Sequence, residues 1–204
     1  MVPFLLRVEL PDVPGSLGRV ATAIGEAGGD IEAIEIVEKR GGIAVDDVLL
    51  EMNDGAMPDS VVSACNAIDG VRVMWISRYA AGGNIFLDLE VVEELTADPR
   101  QALDRVVDLL PVAFRSDWAM RIHRSKGAVR RTDAAPEQLP FVDIERASRL
   151  EVDGDDVNLY AGARIDGNNV VVIGRRGGPD FVESELARLG HLVSLAASLA
   201  PDPR

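Results

Sequence analysis

The stretch Leu10-Pro11-Asp12-Val13-Pro14-Gly15-Ser16-Leu17-Gly18-Arg19-Val20 constrains this chain most. An apolar strand runs into it and an amphipathic helix runs out of it. Pro14 pre-sets φ near the helix start, and Gly15 lets the backbone turn tightly without a Cβ penalty. The first amides of the helix, around Ser16 and Leu17, then have no partner inside it. A helix start of this kind attracts anions, so a ligand carboxylate can dock there. Asp12, on the rim of the same turn, can hold an ammonium. Together they describe a receptor for a free amino acid. The plainer alternative is that Pro-Gly only turns a corner.

The chain has 204 residues, enough for one large or two small domains with their own cores. Its hydrophobic fraction of 47% marks a folded protein. No apolar run is long enough to span a bilayer, and the N-terminus lacks a basic segment followed by an apolar core. The expectation is no secretory signal, no transmembrane helix and a cytoplasmic location. The single Cys65 excludes an intrachain disulfide and a cysteine-rich zinc site, and its apolar neighbours place it in a core. A net charge of −13 and 4% aromatic residues argue against nucleic acid, which needs a basic surface and stacking platforms. They also argue against an anionic membrane. The expected partner is a small molecule or another protein.

Phe4, Leu6, Val8 and Leu10 alternate with Leu5, Arg7 and Glu9 as a strand with one strongly apolar face, and Leu17, Val20, Ala21 and Ile24 follow at helical spacing until Gly28-Gly29. Ile31 to Glu38 reads as a second strand, Lys39-Arg40-Gly41-Gly42 as a hairpin turn, and Ile43 to Met52 as a third strand. A second helix over Pro58 to Ile68 and a strand over Val71 to Ile76 complete a β-α-β-β-α-β order. That is the split βαβ, ferredoxin-like arrangement, with both helices on one face of a four-stranded antiparallel sheet. The other face carries Leu5 and must meet solvent or a second subunit.

Residues 4 to 77 resemble an ACT domain. The matching residues are Asp12-x-Pro14-Gly15-x-Leu17, Gly29-Asp30-Ile31 opening the second strand, and Ala44-Val45-Asp46 in the third. The third-strand pattern is most similar to the ACT repeats of nitrogen-sensing uridylyltransferase-type proteins. The resemblance implies a regulatory module of amino-acid metabolism that binds its effector between the first turn and a neighbouring domain's second strand. The ligand-binding residues would then be Asp12, Val13, Gly15, Ser16 and Leu17, with Asp30 and Ile31. Well-understood members have Asn where this chain has Asp12 and Asp30. An ionised Asp cannot donate a hydrogen bond, so each favours an ammonium over a carboxylate.

Ala80-Ala81-Gly82-Gly83 marks a composition shift, so domains are expected over 1–78 and 98–204, with 79–97 as a linker. Asn84 is a candidate N-cap for an acidic connector helix carrying Ile85, Leu89, Val92 and Leu95. Further on, the pattern predicts a helix over Asp98 to Leu110 closed by Pro111, and strands over 118–123 and 128–131. A loop is predicted over 132–140 and a short helix near 142–148. A hairpin over 157–174 and a final helix over 180–199 complete the chain. The hairpin, the turn Arg175-Arg176-Gly177-Gly178-Pro179-Asp180-Phe181 and the closing helix resemble a GAF-type sensor domain. That resemblance implies an α/β sandwich with a six-stranded sheet. The expected fold class is therefore α+β: a ferredoxin-like ACT domain followed by a GAF-like domain.

No catalytic constellation stands out. His123 and His191 have no acidic residue at i±4 in a metal-ligand arrangement, and no serine elbow or phosphate loop is present. Asp153-Gly154-Asp155-Asp156 lacks the spacing of a calcium loop. Asp46 and Asp47 lie in a strand, so they point to opposite faces and cannot form one catalytic pair. Arg175-Arg176 reads as a loop with two exposed charges, or else as an anion grip. No metal, no cofactor and no catalytic residue is expected. The sequence points to a non-enzymatic regulatory homodimer that senses an amino acid. The alternatives are an interaction protein whose ACT domain only dimerises, and an enzyme of unrecognised type in the second half.

Overall fold

A computed structural model describes residues 2–53, 55–78, 84–152, 154–155, 157–177 and 180–201, without the side chains of 2 and 84–86. The chain divides into two compact units, Met1–Ala81 and Gly82–Arg204. The boundary stretch at 80–83, the capping role of Asn84, and Asp153 and Asp156 lie outside what is described.

In the first unit, β1 (Val2–Pro11), α1 (Ser16–Glu26), β2 (Gly29–Arg40), β3 (Ile43–Met52), α2 (Pro58–Asn66) and β4 (Arg72–Arg78) follow in the expected order. The antiparallel sheet runs β2-β3-β1-β4. Alternation along β1 sends Phe4, Leu6, Val8 and Leu10 to one face, where they meet Val20 and Ile24 of α1 and Val61 and Cys65 of α2. Each such fully buried side chain contributes about 1.5–3 kcal/mol. On the opposite face Leu5, Arg7, Val45 and Asp47 are also buried. Leu5 therefore does not meet solvent.

In the second unit, α3 (Asn84–Ala97), a short 3-10 turn (Pro99–Gln101) and α4 (Ala102–Phe114) precede β5 (Trp118–His123) and β6 (Gly127–Arg131). They are followed by β7 (Ser148–Leu150), β8 (Asn158–Arg164), β9 (Asn169–Arg176) and α5 (Glu183–Leu199). The antiparallel sheet runs β6-β5-β9-β8-β7, five strands among the described residues where the resemblance implies six. Small residues Ala119, Ala161 and Ala163 let the helices approach one face, and Leu95, Val107, Leu110, Phe114, Leu189 and Val193 fill the space. The connector helix α3 belongs to this packing through Val91 and Leu95. Arg188 fixes it with bonds of 2.8 and 2.6 Å to Asp88.

Two local expectations fail. Pro111 lies inside α4 and does not close it. Its φ suits a helix, and in the last turn its missing N–H costs one bond. Burial of Ala113 and Phe114 draws the helix on until Arg115 turns left-handed, at φ 47°. The segment expected as a helix near 142–148 forms none: it is irregular, bends over 145–147 and enters β7 at Ser148. Leu139, Phe141, Val142 and Ile144 cover the second sheet face, over Trp118, Met120 and Tyr160. Arg124 holds the segment through Asp143 at 2.8 Å and through the Phe141 ring.

Trp118 sits opposite Gly174 in the β5–β9 ladder, and a Cβ at Gly174 would lie 2.1 Å from the indole. Gly174→Ala is expected to destabilise the protein by about 1–3 kcal/mol in denaturant unfolding, the usual cost of overpacking. Gly25→Ala, in the helix interior with open space around it, is expected to stabilise by about 0.5–1 kcal/mol.

Candidate functional site

The β1–α1 turn has the geometry that its residues demand. Gly15 takes φ 91°, a left-handed conformation that a side chain would strain. The Asp12 N–H donates to the Gly42 carbonyl at 2.9 Å, which ties the turn to the β2–β3 hairpin. The Ser16 N–H is already used, donating to Val13 at 3.2 Å, and Ser16 itself is buried. The Leu17 and Gly18 amides follow it at the helix start, where the helix supplies no i−4 partner. Val13 stands exposed at the tip of the turn.

Asp12 is not alone. The Lys39 ammonium lies 2.7 Å from Asp12 Oδ1, in a bridge with both side chains substantially exposed. The sequence marks Lys39 only as part of a hairpin turn, and nothing adjacent to it announces a partnership with Asp12. Asp30 and Ile31 lie elsewhere. Asp30 pairs with Glu51, whereas the turn adjoins Ile43, so about eight strand residues, roughly 27 Å, separate them within one chain. They also face opposite sides of the sheet, Asp30 with Glu51 and Ile31 with Leu50.

The acids of β3 diverge as alternation requires. Asp47 accepts two bonds from Arg7, 2.6 Å from Nε and 2.8 Å from Nη2, with both side chains 3% exposed. Asp46 occupies the core-facing row of β3, between Ala44 and Val48, and is 2% exposed. Its Oδ1 has no hydrogen-bond partner. Burial pushes its carboxyl above the usual carboxylate range, opposed by the nearby Lys39 charge.

In the second unit, Arg175 is buried and not exposed as expected. It donates to the Phe114 carbonyl at 2.8 Å and to Glu185 Oε1 at 2.9 Å, and it lies over the Phe181 ring. Glu185 Oε2 in turn accepts from the Val182 N–H at 2.9 Å, so the group anchors the start of α5. Arg176 is exposed, as expected. Tyr160 donates to Asp155 at 2.5 Å. Burial and then this bond push its hydroxyl up to about 12, and the bonds from Tyr160 and Asn158 hold Asp155 low. A cleft of about 580 Å³ between α5 and the β7–β8 edge includes Arg146, Arg149, Arg164, Glu183 and His191. His123 and His191 stand apart, and no cluster able to hold a metal ion occurs among the described residues. No helix among them is long and apolar enough to cross a membrane.

Arg7→Met is expected to destabilise the protein by about 3–5 kcal/mol, because it strands the buried Asp47 carboxylate. Arg7→Met/Asp47→Leu should recover most of that loss in the same denaturant measurement. Asp155→Asn should lower the Tyr160 pKa from about 12 part of the way toward 10, since burial remains. Ultraviolet titration, taken as the difference from Tyr160→Phe, reads it.

Residues 4–70 match the family model of the ACT domain. Among curated proteins, NAD-dependent malic enzyme 1 of Bacillus subtilis (strain 168) is 37% identical over 73 residues, which are 35% of this chain and 17% of that enzyme. Among solved structures, the GAF domain of an Acinetobacter phosphoenolpyruvate-protein phosphotransferase is similar at 14% identity. The match covers 59% of this chain and 93% of that one, with a TM-score of 0.45. The corresponding GAF domain from Coxiella burnetii is similar at 16% identity over 56% and 90% of the two chains, also with a TM-score of 0.45. By the match at residues 4–70, the N-terminal unit of this chain is an ACT domain.

Proposed function

We propose that this chain is a non-catalytic regulatory protein whose ACT domain binds a free amino acid at the β1–α1 turn. The observation that carries the proposal is the turn itself. Leu17 and Gly18 present helix-start amides for a carboxylate, and Asp12 presents a carboxylate for an ammonium, within a domain matched to a regulatory family. Asp30 and Ile31 are too distant to join this site in one chain, so they complete it only from a second copy, as a homodimer. A ligand there would tie one copy's turn to the other's β2 and favour one arrangement of the pair. The GAF-like second unit would receive that preference. The protein acts in the cytoplasm and engages neither nucleic acid nor membrane, consistent with its net charge of −13. It needs no metal or cofactor.

One observation favours a second reading. Asp12 is already neutralised by Lys39, which suits an ACT domain that only dimerises.

A thermal-shift screen of the full chain against the twenty amino acids separates the two. A ligand at a hundredfold over its dissociation constant adds about 2.7 kcal/mol, enough to raise the midpoint by several degrees. One or two amino acids should do so, and Asp12→Ala should abolish the response. A uniform absence of shift leaves the dimerisation reading.

A further inference from the structure

We propose that Lys39 is an internal stand-in for the ligand's ammonium group, and that Asp46 receives the Lys39 ammonium when a ligand takes its place on Asp12. This rests on the amino-acid-binding reading above, and it adds two residues and a ligand requirement to that site.

Three observations converge. Lys39 Nζ sits 2.7 Å from the Asp12 oxygen that the ligand's ammonium would need. The side chains are 52% and 38% exposed, and a bridge so accessible to water is weakly held and readily exchanged. Asp46 is the reverse case. It is a buried carboxylate with an unpartnered oxygen, an arrangement that costs free energy until a cation or donor arrives.

Register joins the two. Ile36 pairs with Asp46, but a shift between Ile36 and Glu38 leaves Val37 as the extra residue, and Lys39 then pairs with Ala44. Without that shift Lys39 would point to the opposite face. With it, Lys39 and Asp46 are diagonal neighbours on one face, about 7–8 Å apart and within reach of a lysine side chain. Asp12 continues the same corner, one residue beyond Pro11, which pairs with Ile43. The charged groups acting on Asp46 are Lys39, Asp12 and Asp47, and only Lys39 among these is a cation.

In the free protein Lys39 therefore serves Asp12 and leaves Asp46 Oδ1 without a partner. A ligand that brings its own ammonium takes over Asp12, Lys39 swings to Asp46, and both carboxylates are paired. A carboxylic acid without an amine cannot drive the exchange. The site accordingly selects amino acids over their deaminated counterparts.

Carboxyl ¹³C NMR of the full chain tests this. Asp12→Asn, at an exposed position, frees Lys39 without a ligand, and the Asp46 pKa should fall by about one unit or more, the usual effect of a new cationic neighbour. Because Asp12 and Lys39 each act on Asp46 from where they stand, the test is a double-mutant cycle: Lys39→Met should raise the Asp46 pKa by more in the Asp12→Asn background than in wild type. An effect of Lys39→Met that is equal in the two backgrounds overturns the proposal. Saturating wild type with an amino acid found in the thermal screen should reproduce the Asp12→Asn shift. If that amino acid binds and Asp46 does not move, the exchange is wrong while the sensor reading stands. If Lys39→Met acts more strongly in the Asp12→Asn background but none of the twenty amino acids binds, the exchange between the carboxylates is supported and the sensor reading fails.

Discussion

Two consecutive buried acids on a central strand cannot share one cation, and the first unit is arranged around that constraint. β3 lies between β2 and β1, and its pleat sends Asp47 to one face and Asp46 to the other. Asp47 meets Arg7 in a two-point ion pair with almost no exposure, which locks β1 to β3 in register. A one-residue slip would bury both charges unpaired and turn the apolar row of β1 outward. Asp46 has no such partner on its own face. The pairing that satisfies the fold thus leaves one buried carboxylate oxygen, Asp46 Oδ1, without a hydrogen-bond partner.

Much of the first unit was legible because its signals are local. Alternation in β1, the Pro14-Gly15 turn and the paired glycines of the β2–β3 hairpin, at φ 62° and 81°, each specify one conformation. The face assignments along β2 were not legible. Register shifts near Ile31 and Ile36 break the alternation, and no residue type in that stretch announces them. Lys39 therefore reads as a turn residue although it reaches Asp12. The bond from the Ser16 amide to Val13 was not legible for a related reason, since it depends on how tightly the turn closes.

In the second unit the hairpin and the long helices were legible from periodicity. Burial overrode two local signals. Pro111 reads as a stop, but two apolar residues beyond it pay for another turn of helix. The run from Leu139 to Ile144 has enough apolar residues for a helical turn, but its side chains pack from an irregular segment onto Trp118, Met120 and Tyr160. Arg175 looks like a solvated charge in the sequence. Its role as the anchor between α4 and α5 depends on Glu185, ten residues away, and on a carbonyl in another helix.

The proposed sensing surface lies at a turn that one chain would build only in part, with Asp30 and Ile31 supplied by a second copy. Hydrogen exchange of the full chain, with and without a mixture of the twenty amino acids, tests that arrangement most directly. The prediction is slowed exchange in two separated segments together, at the turn from Asp12 to Gly18 and at the start of β2 around Asp30 and Ile31. Exchange unchanged in both segments would contradict it.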